Sequence, residues 1–180
     1  MEKLFYQKLI PVTALMLFLG FMTAIAMGTP CDDPFLTQDG HLNAELEFQD
    51  GQMGFVGISG ITWTILPNGT CQASRFINDK VSSPHRICHL EQQDLVILAN
   101  TLSDQNFAGL PPEIPSEPTL NPHRFTIRLG DKSSTLVLRT GQSLENALTT
   151  QPNRPETPRS RFLTIAQVID RLIKQRCGND

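Results

Sequence analysis

The feature that most constrains the fold is a glycine-rich stretch, Met53–Ile77, with the sequence MGFVGISGITWTILPNGTCQASRFI. Glycine recurs at positions 51, 54, 57 and 60, and each would cost a helix about 1 kcal/mol relative to alanine. Further along, apolar and polar residues alternate, and Asn68-Gly69 is a strong signal for a hairpin turn because both residues tolerate positive φ. The stretch therefore predicts two antiparallel strands, Phe55–Leu66 and Cys71–Ile77.

Three more strands and two helices are predicted around this stretch. Alternating apolar residues predict strands at Ala44–Gln49, Phe125–Leu129 and Thr135–Thr140, and the last two form a second hairpin. Apolar residues at three- and four-residue spacing predict helices at Leu90–Ser103 and Arg161–Cys177. The expected fold class is therefore α+β: an antiparallel sheet of about five strands, in two hairpins, covered on one face by two helices.

Local signals define the ends of these helices. After the first helix, Phe107 and Leu110 are expected to pack back on the core, before a proline that cannot continue the helix. Ser160 is the predicted N-cap of the second helix and Gly178 its stop. A further helical turn is predicted near Ser143–Leu148.

The amino terminus predicts an export signal. Residues 1–8 are short and basic, Leu9–Met27 contains no charged residue, and Ala24-Ile25-Ala26 supplies the small residues that a signal peptidase reads. Cleavage after residue 26 would leave an irregular arm at 27–43 and a single α+β domain at 44–180. The alternative is an uncleaved anchor, because 19 uncharged residues can just span a bilayer.

Four cysteines, all beyond the signal, predict two disulfides in an oxidising compartment. Three connectivities are possible for four cysteines. We favour Cys71–Cys88, which closes a short loop, together with Cys31–Cys177, which ties the two ends of the mature chain. Four buried free thiols would be expected only if the chain stayed in the cytosol. The predicted location is extracytoplasmic, either secreted or periplasmic.

Residues 111–122, PPEIPSEPTLNP, contain five prolines in twelve residues. Such a segment cannot be a helix or a central strand, so we expect an extended arm with polyproline character. One interpretation is a stiff connector between a helix and a hairpin. The other is a presented binding loop, low in conformational entropy and suited to docking into a partner's groove. The candidate binding residues are Pro111, Pro112, Glu113, Ile114, Pro115 and Glu117.

The sequence contains no complete catalytic, metal or cofactor motif. Residues 85–89, HRICH, include metal-capable side chains at His85 and His89, but Arg86 stands where a zinc-protease helix needs glutamate. Cys88 is better explained as half of a disulfide. Residues 57–61, GISGI, come near a nucleophile elbow around Ser59, but the last glycine is missing and a strand follows instead of a helix. We therefore expect no enzyme activity, no metal and no cofactor.

The charge of the chain excludes nucleic acid as a partner. The net charge is −3, and residues 1–26 carry Lys3, Lys8 and Glu2, so the mature chain is near −4. A phosphate-backbone partner would need clustered Lys and Arg. Glu45 and Glu47 alternate with apolar residues and fit the solvated face of the first strand.

The order of elements resembles the emfourin-like family of small proteinaceous inhibitors of thermolysin-type metalloproteases. The segment 54–58, GFVGI, is similar to the family's Gly-Gly-Phe-Ala-Gly-Ile opening strand. The amphipathic helix around Leu95–Leu102 and its exit through Phe107 and Leu110-Pro111 also resemble the family. The hairpin Phe125–Thr140 and the closing helix complete a resemblance that covers roughly residues 45–176.

Several features depart from that family. Met53 stands where the family usually has its first glycine, and His123-Arg124 stands where an acidic residue often precedes the aromatic strand. The cysteines and the export signal are additions, and no inhibitory residue is carried over. Together with the predicted export signal, the resemblance implies a small exported binding domain with a protein partner, of which a protease inhibitor is one form. The alternative is a structural or adaptor protein of the cell envelope, anchored in the membrane through Leu9–Met27.

Overall fold

The computed structural model of the chain describes residues 33–149 and 157–178, which fall within one compact unit. The signal or anchor segment and Cys31 lie outside the described residues. The elements are β1 (Leu46–Gly54), β2 (Gly57–Ile65), β3 (Thr70–Ile77), β4 (Lys80–Val81), β5 (His85–His89), α1 (Gln92–Asp104), β6 (Glu113–Ile114), β7 (His123–Leu129), β8 (Lys132–Leu138), α2 (Leu144–Thr149) and α3 (Pro158–Cys177). The predicted α+β class is confirmed. In the described ranges, no helix is both long enough and apolar enough to cross a membrane.

The strands form one mixed sheet with eight members, in the order β4-β3-β2-β1-β7-β8-β6, and β5 also pairs with β3. The five predicted strands are present as β1, β2, β3, β7 and β8, and the pairs that they form with one another are antiparallel. The expected number of about five strands is too low, because β4, β5 and β6 add to the sheet edges. These strands are two to five residues long, too short to show a clear alternation.

The predicted hairpin at Asn68-Gly69 is present as β2 and β3, and a further hairpin, formed by β1 and β2, precedes it. Strand β1 runs on to Gly54, the chain turns at Phe55-Val56, and β2 returns from Gly57. The prediction that Phe55 begins a strand is therefore wrong. Gly57 has a φ of +107°, which a residue with a side chain rarely adopts. Gly54 and Gly57 are paired across the turn. These two glycines therefore mark the end of a hairpin, whereas the prediction places them within or beside one strand.

The core lies between one face of the sheet and helices α1 and α3. Ile65 is fully buried, and the half-buried Trp63 stacks on Phe48 with ring centroids 5.6 Å apart. Phe35 and Leu42 of the irregular segment before β1 also pack into this core. Every apolar residue predicted for the buried faces of the two long helices and of β7 is buried, namely Leu95, Leu98, Ala99, Leu102, Phe162, Ile165, Ile169, Leu172, Ile173, Phe125, Ile127 and Leu129.

The helix ends show one correction. Thr157, not Ser160, is the N-cap of α3, and Pro158 is its first residue. Ser160 occupies the third helical position, where its side chain accepts the Thr157 N–H while the Thr157 hydroxyl accepts the Ser160 N–H. Serine is a favoured N-cap residue, which explains why the sequence predicts Ser160 as the cap, whereas Ser160 is the third-position partner of Thr157. Gly178 ends the helix as predicted, with a φ of +79°.

Candidate binding surface

A phenylalanine, Phe55, is fully exposed at the turn between β1 and β2, which we call the hairpin tip (Met53–Ile58). The Phe55 side chain is fully exposed and the Val56 side chain is 69% exposed. Neither side chain packs into the core. Turns are normally built from Gly, Asn, Asp, Pro and Ser. A phenylalanine and a valine at such a position gain no burial within the fold.

Asn78 fixes the conformation of the hairpin tip. Its backbone N–H donates to the Ile58 carbonyl (2.7 Å), its Oδ1 accepts the Ile58 N–H (3.0 Å), and its Nδ2 donates to the Val56 carbonyl (3.0 Å). Asn78 itself adopts a φ of +51°, a conformation that asparagine tolerates better than most residues. The apolar turn is therefore held in one geometry although its side chains are free.

The base of the hairpin tip is attached to β7. The pairing of β1 with β7 ends at Gln52 and His123, and the Met53 N–H donates to the Pro122 carbonyl at 3.0 Å. Close to this attachment, His123 Nε2 of β7 and Asp50 Oδ1 of β1 form a hydrogen bond within a half-buried ion pair. This hydrogen bond raises the pKa of His123 above its ordinary value, against the opposing effect of burial.

A groove of about 610 Å³ lies beside the hairpin tip on the sheet face opposite the helices. Met53 and Ile58 form one wall and the proline arm forms the other. Arg124 and Glu113 place opposite charges on its lining. The tip and the arm are therefore adjacent parts of one surface, with an apolar ridge and a partly polar groove.

The proline arm (Pro111–Pro122) connects α1 to β7 and is partly paired with the sheet and partly exposed. Ile114 is a buried residue of the short strand β6, which pairs in parallel with β8 so that Ile114 lies beside Leu136. The carbonyls of Leu110, Pro111 and Pro112 accept bonds from Lys132 Nζ (2.5 Å), the Ser134 hydroxyl (2.8 Å) and the Thr135 N–H (2.8 Å). Of the residues predicted for a binding loop, Pro112, Glu113, Pro115 and Glu117 are exposed, Pro111 is half-buried and Ile114 belongs to the core.

The second half of the arm is held by the Thr140 hydroxyl, which donates to the Leu120 and Asn121 carbonyls, while most of its side chains are exposed. Glu117 forms an ion pair with Arg139, and the Leu120 side chain is 87% exposed. Of the six residues predicted from the sequence, three line the groove, namely Glu113, Ile114 and Pro115.

The remaining candidate residues are dispersed over the sheet. Ser59 is an ordinary strand residue, paired with Gln52 and Ile77. His85 and His89 are exposed on β5, and neither belongs to a cluster of metal-capable groups among the described residues. Glu47 lies on the polar, open face of the sheet and pairs with Arg128 at 3.2 Å. These positions do not converge on a catalytic arrangement.

The cysteine pairing differs from the predicted one. Cys88 and Cys177 lie at disulfide distance, with their Sγ atoms 1.97 Å apart, so the predicted Cys71–Cys88 and Cys31–Cys177 pairings are both corrected. The reason is that α3 carries Cys177 onto the strand pair that holds Cys71 and Cys88. Cys71 is buried and has no disulfide partner in the described part of the chain, and its burial raises the pKa of its thiol to about 11.

Sequence reasoning did not identify the hairpin tip or Asn78. The available signal was the pair of glycines flanking two apolar residues at 54–57, a spacing that fits a two-residue turn. No comparable signal marks Asn78, because its role depends on contact with Ile58, 20 residues earlier.

Comparison with known proteins adds no assignment. No family model matches the chain, and none of the curated proteins matches it.

Proposed function

We propose that this protein is an exported, non-enzymatic binding domain that contacts a protein partner through the hairpin tip and the proline arm. The observation that carries the proposal is the full exposure of Phe55 on a turn held by Asn78. Exposed apolar surface of this kind is costly in water unless a partner covers it.

The geometry of the surface supports this role. Aromatic side chains are enriched among the residues that dominate binding energy at protein interfaces. Because the turn and the arm are already fixed by hydrogen bonds, little conformational entropy would be lost on binding. Phe55 and Leu120 supply exposed apolar side chains, and the groove beside them supplies a concave site with both charges.

The partner class follows from the resemblance and the predicted export. We propose extracellular metalloproteases of the thermolysin type as the first partners to test, because the resemblance to the emfourin-like inhibitors includes the segment that forms the hairpin tip. A Cys88–Cys177 disulfide is compatible with an extracytoplasmic location. The predicted signal at 1–26 is the main support for export.

The proposal is tested with the double variant Phe55→Ser/Val56→Ser of the mature chain. Binding to a panel of thermolysin-type proteases, and inhibition of them, is measured at micromolar concentration by calorimetry and by peptide hydrolysis. We expect the wild type to bind at least one protease and the double variant to bind at least about tenfold more weakly. Val96→Ser is the matched control, because Val96 is also an exposed apolar residue but lies on α1.

Two results would contradict the proposal. If no protease is bound, inhibition is excluded. A pull-down from the extracytoplasmic fraction, with wild type and double variant as paired baits, then tests the binding surface itself. If every captured protein is retained equally by both baits, the hairpin tip is not the contact surface.

The alternative function is that of an envelope adaptor anchored through Leu9–Met27. The uncharged segment of 19 residues favours it. The mass of the protein isolated from cells distinguishes the two, because an anchored protein keeps residues 1–26 and sediments with membranes.

A further inference from the structure

Three cysteine sulfurs from distant parts of the chain converge at one end of the core. Cys71 is on β3, Cys88 is on β5 and Cys177 is the last residue of α3. Their Sγ atoms all lie within 4.8 Å of one another. A disulfide needs only two of these sulfurs, and among the described residues the third, that of Cys71, has no disulfide partner.

The fold holds the three residues together without help from the Cys88–Cys177 bond. Cys71 and Cys88 are direct partners across the β3–β5 pair. The end of α3 is fastened to the start of α1, because Arg176 donates to Glu91 (3.2 Å) and to Asp94 (2.8 Å). The sulfurs would therefore remain neighbours after the bond is reduced.

We propose that the reduced chain binds one thiophilic divalent ion of the Zn²⁺ type through the thiolates of Cys71, Cys88 and Cys177. Tetrahedral zinc with Zn–S bonds of about 2.3 Å keeps its sulfur ligands about 3.8 Å apart. Side-chain rotation about Cys88 and Cys177 is enough to open the bonded pair to that spacing. Soft thiolate ligands select such ions over magnesium and calcium.

The surroundings give the site an entrance and an open coordination position. Cys71 is buried, whereas Cys88 and Cys177 are half-buried. Cys177 also lines a groove of about 400 Å³ between the sheet and α3, together with Trp63, His85 and Lys174. Three protein ligands, one of which lines a groove, leave a fourth coordination position for water or another small ligand.

Formation of the site requires one reductant, which reduces the Cys88–Cys177 disulfide. A small-molecule dithiol supplies two electrons and two protons to the Cys88–Cys177 bond and becomes a cyclic disulfide. Binding of the divalent ion then displaces three thiol protons, one from each cysteine. The oxidised chain lacks the site, because two of its three sulfurs are bonded to each other.

The test uses the mature chain, reduced with a dithiol under nitrogen and freed of the reductant. Zn²⁺ is added in competition with a chromophoric chelator, and Co²⁺ serves as the spectroscopic probe of thiolate ligation. We expect uptake of about one equivalent, thiolate-to-cobalt charge-transfer absorption, and a higher Tm with zinc than without it. Cys71→Ser and Cys177→Ser should each weaken binding at least about tenfold, since loss even of groups that only orient a ligand has that effect.

His89→Ala is the matched control, because His89 can bind a metal and is adjacent to Cys88 but lies outside the cluster. The zinc affinity of this variant should equal that of the wild type. Uptake below about a tenth of an equivalent by the reduced wild type would overturn the proposal. Zinc affinity retained in the cysteine variants, or lost in His89→Ala, would overturn it too. If Cys71→Ser fails to fold by circular dichroism, Cys177→Ser decides, because its side chain is only half-buried at a helix end.

Discussion

The two ends of strand β2 carry hairpin turns of opposite chemistry. At one end, the turn between β1 and β2 presents Phe55 and Val56 to solvent. At the other end, the turn between β2 and β3 contains Pro67, Asn68 and Gly69 and is fixed by the segment before α1. There the Leu90 N–H donates to the Gly69 carbonyl at 2.8 Å.

The difference separates a structural turn, whose residues suit the backbone geometry, from a turn for which we propose a binding role. The turn at Asn68-Gly69 has the residues that backbone geometry favours, and Gly69 adopts a φ of +85°. The turn at Phe55-Val56 has apolar side chains for which backbone geometry supplies no reason. A sequence position that serves the fold poorly is one where a binding role is expected.

Among the variants of the two turns, the largest effect is expected at the structural turn. A Cβ atom at Gly69 would lie 2.4 Å from the Leu90 carbonyl oxygen, and the positive φ would add strain. We expect Gly69→Ala to lower the free energy of unfolding by about 2–4 kcal/mol in urea denaturation.

Gly141→Ala is the matched control for that variant. Gly141 also has a positive φ, of +79°, but a Cβ atom there would meet nothing within 4 Å. Its cost should be about 1 kcal/mol, from backbone strain alone. Equal losses in the two variants would mean that the contact with Leu90 does not constrain the structural turn.

The next effect is expected at Asn78, which fixes the hairpin tip. Asn78→Gly tolerates the φ of +51° and removes the two side-chain bonds to Val56 and Ile58. We expect a loss of about 1–2 kcal/mol and faster hydrogen exchange at the Ile58 amide. Exchange at the Leu90 amide, which is fixed at the other turn, is the internal control. Equal acceleration at both amides would indicate global destabilisation and not a local loosening of the tip.

A smaller, pH-dependent effect is expected at the base of the hairpin tip. The hydrogen bond that His123 forms with the Asp50 carboxylate raises the pKa of His123 in the folded protein. The folded state therefore binds the imidazole proton more tightly than the unfolded state. The stabilisation is complete below the ordinary pKa of 6.5 and is lost as pH rises through the raised value.

The measurement compares wild type with His123→Gln by urea denaturation at about pH 5.5 and about pH 9. The stability advantage of the wild type should shrink between these two values by about 1 kcal/mol or less, because the pair is partly exposed. Asp50→Asn should reduce the pH dependence in the same way. An advantage that grows with pH would contradict the assignment of the ion pair.

The sequence predicted the elements whose signals are local. Alternation in β2 and β7 and the three- and four-residue spacing in α1 and α3 follow directly from burying one face of a strand or helix. Strand β6 could not be predicted, because two residues show no period and the parallel pairing of Ile114 with Leu136 is a long-range property. Phe55 fits either a strand or a turn until the pairing of Gly54 with Gly57 is known.

The candidate site was predictable only in part, for the same reason. The proline arm is visible in composition, so its exposed residues were identified, although Ile114 belongs to the core. The hairpin tip required knowledge of strand pairing. The disulfide required knowledge of where α3 ends in space, since spacing along the chain cannot distinguish Cys71 from Cys177 as the partner of Cys88.

The smallest effect on stability is expected where the largest effect on binding is proposed. Phe55 makes no packing contact, so Phe55→Ser should change the free energy of unfolding by no more than about 0.5 kcal/mol. Phe48→Ala is the contrasting variant, because Phe48 is 1% exposed between Trp63 and Phe125 and its loss should cost about 3–5 kcal/mol. Both are measured by urea denaturation of the mature chain. A loss above about 1.5 kcal/mol for Phe55→Ser, within the range for a buried side chain, would mean that the tip folds back on the domain in solution. The distinction between the two turns of β2 would then disappear, and with it the reason to assign binding to the exposed one.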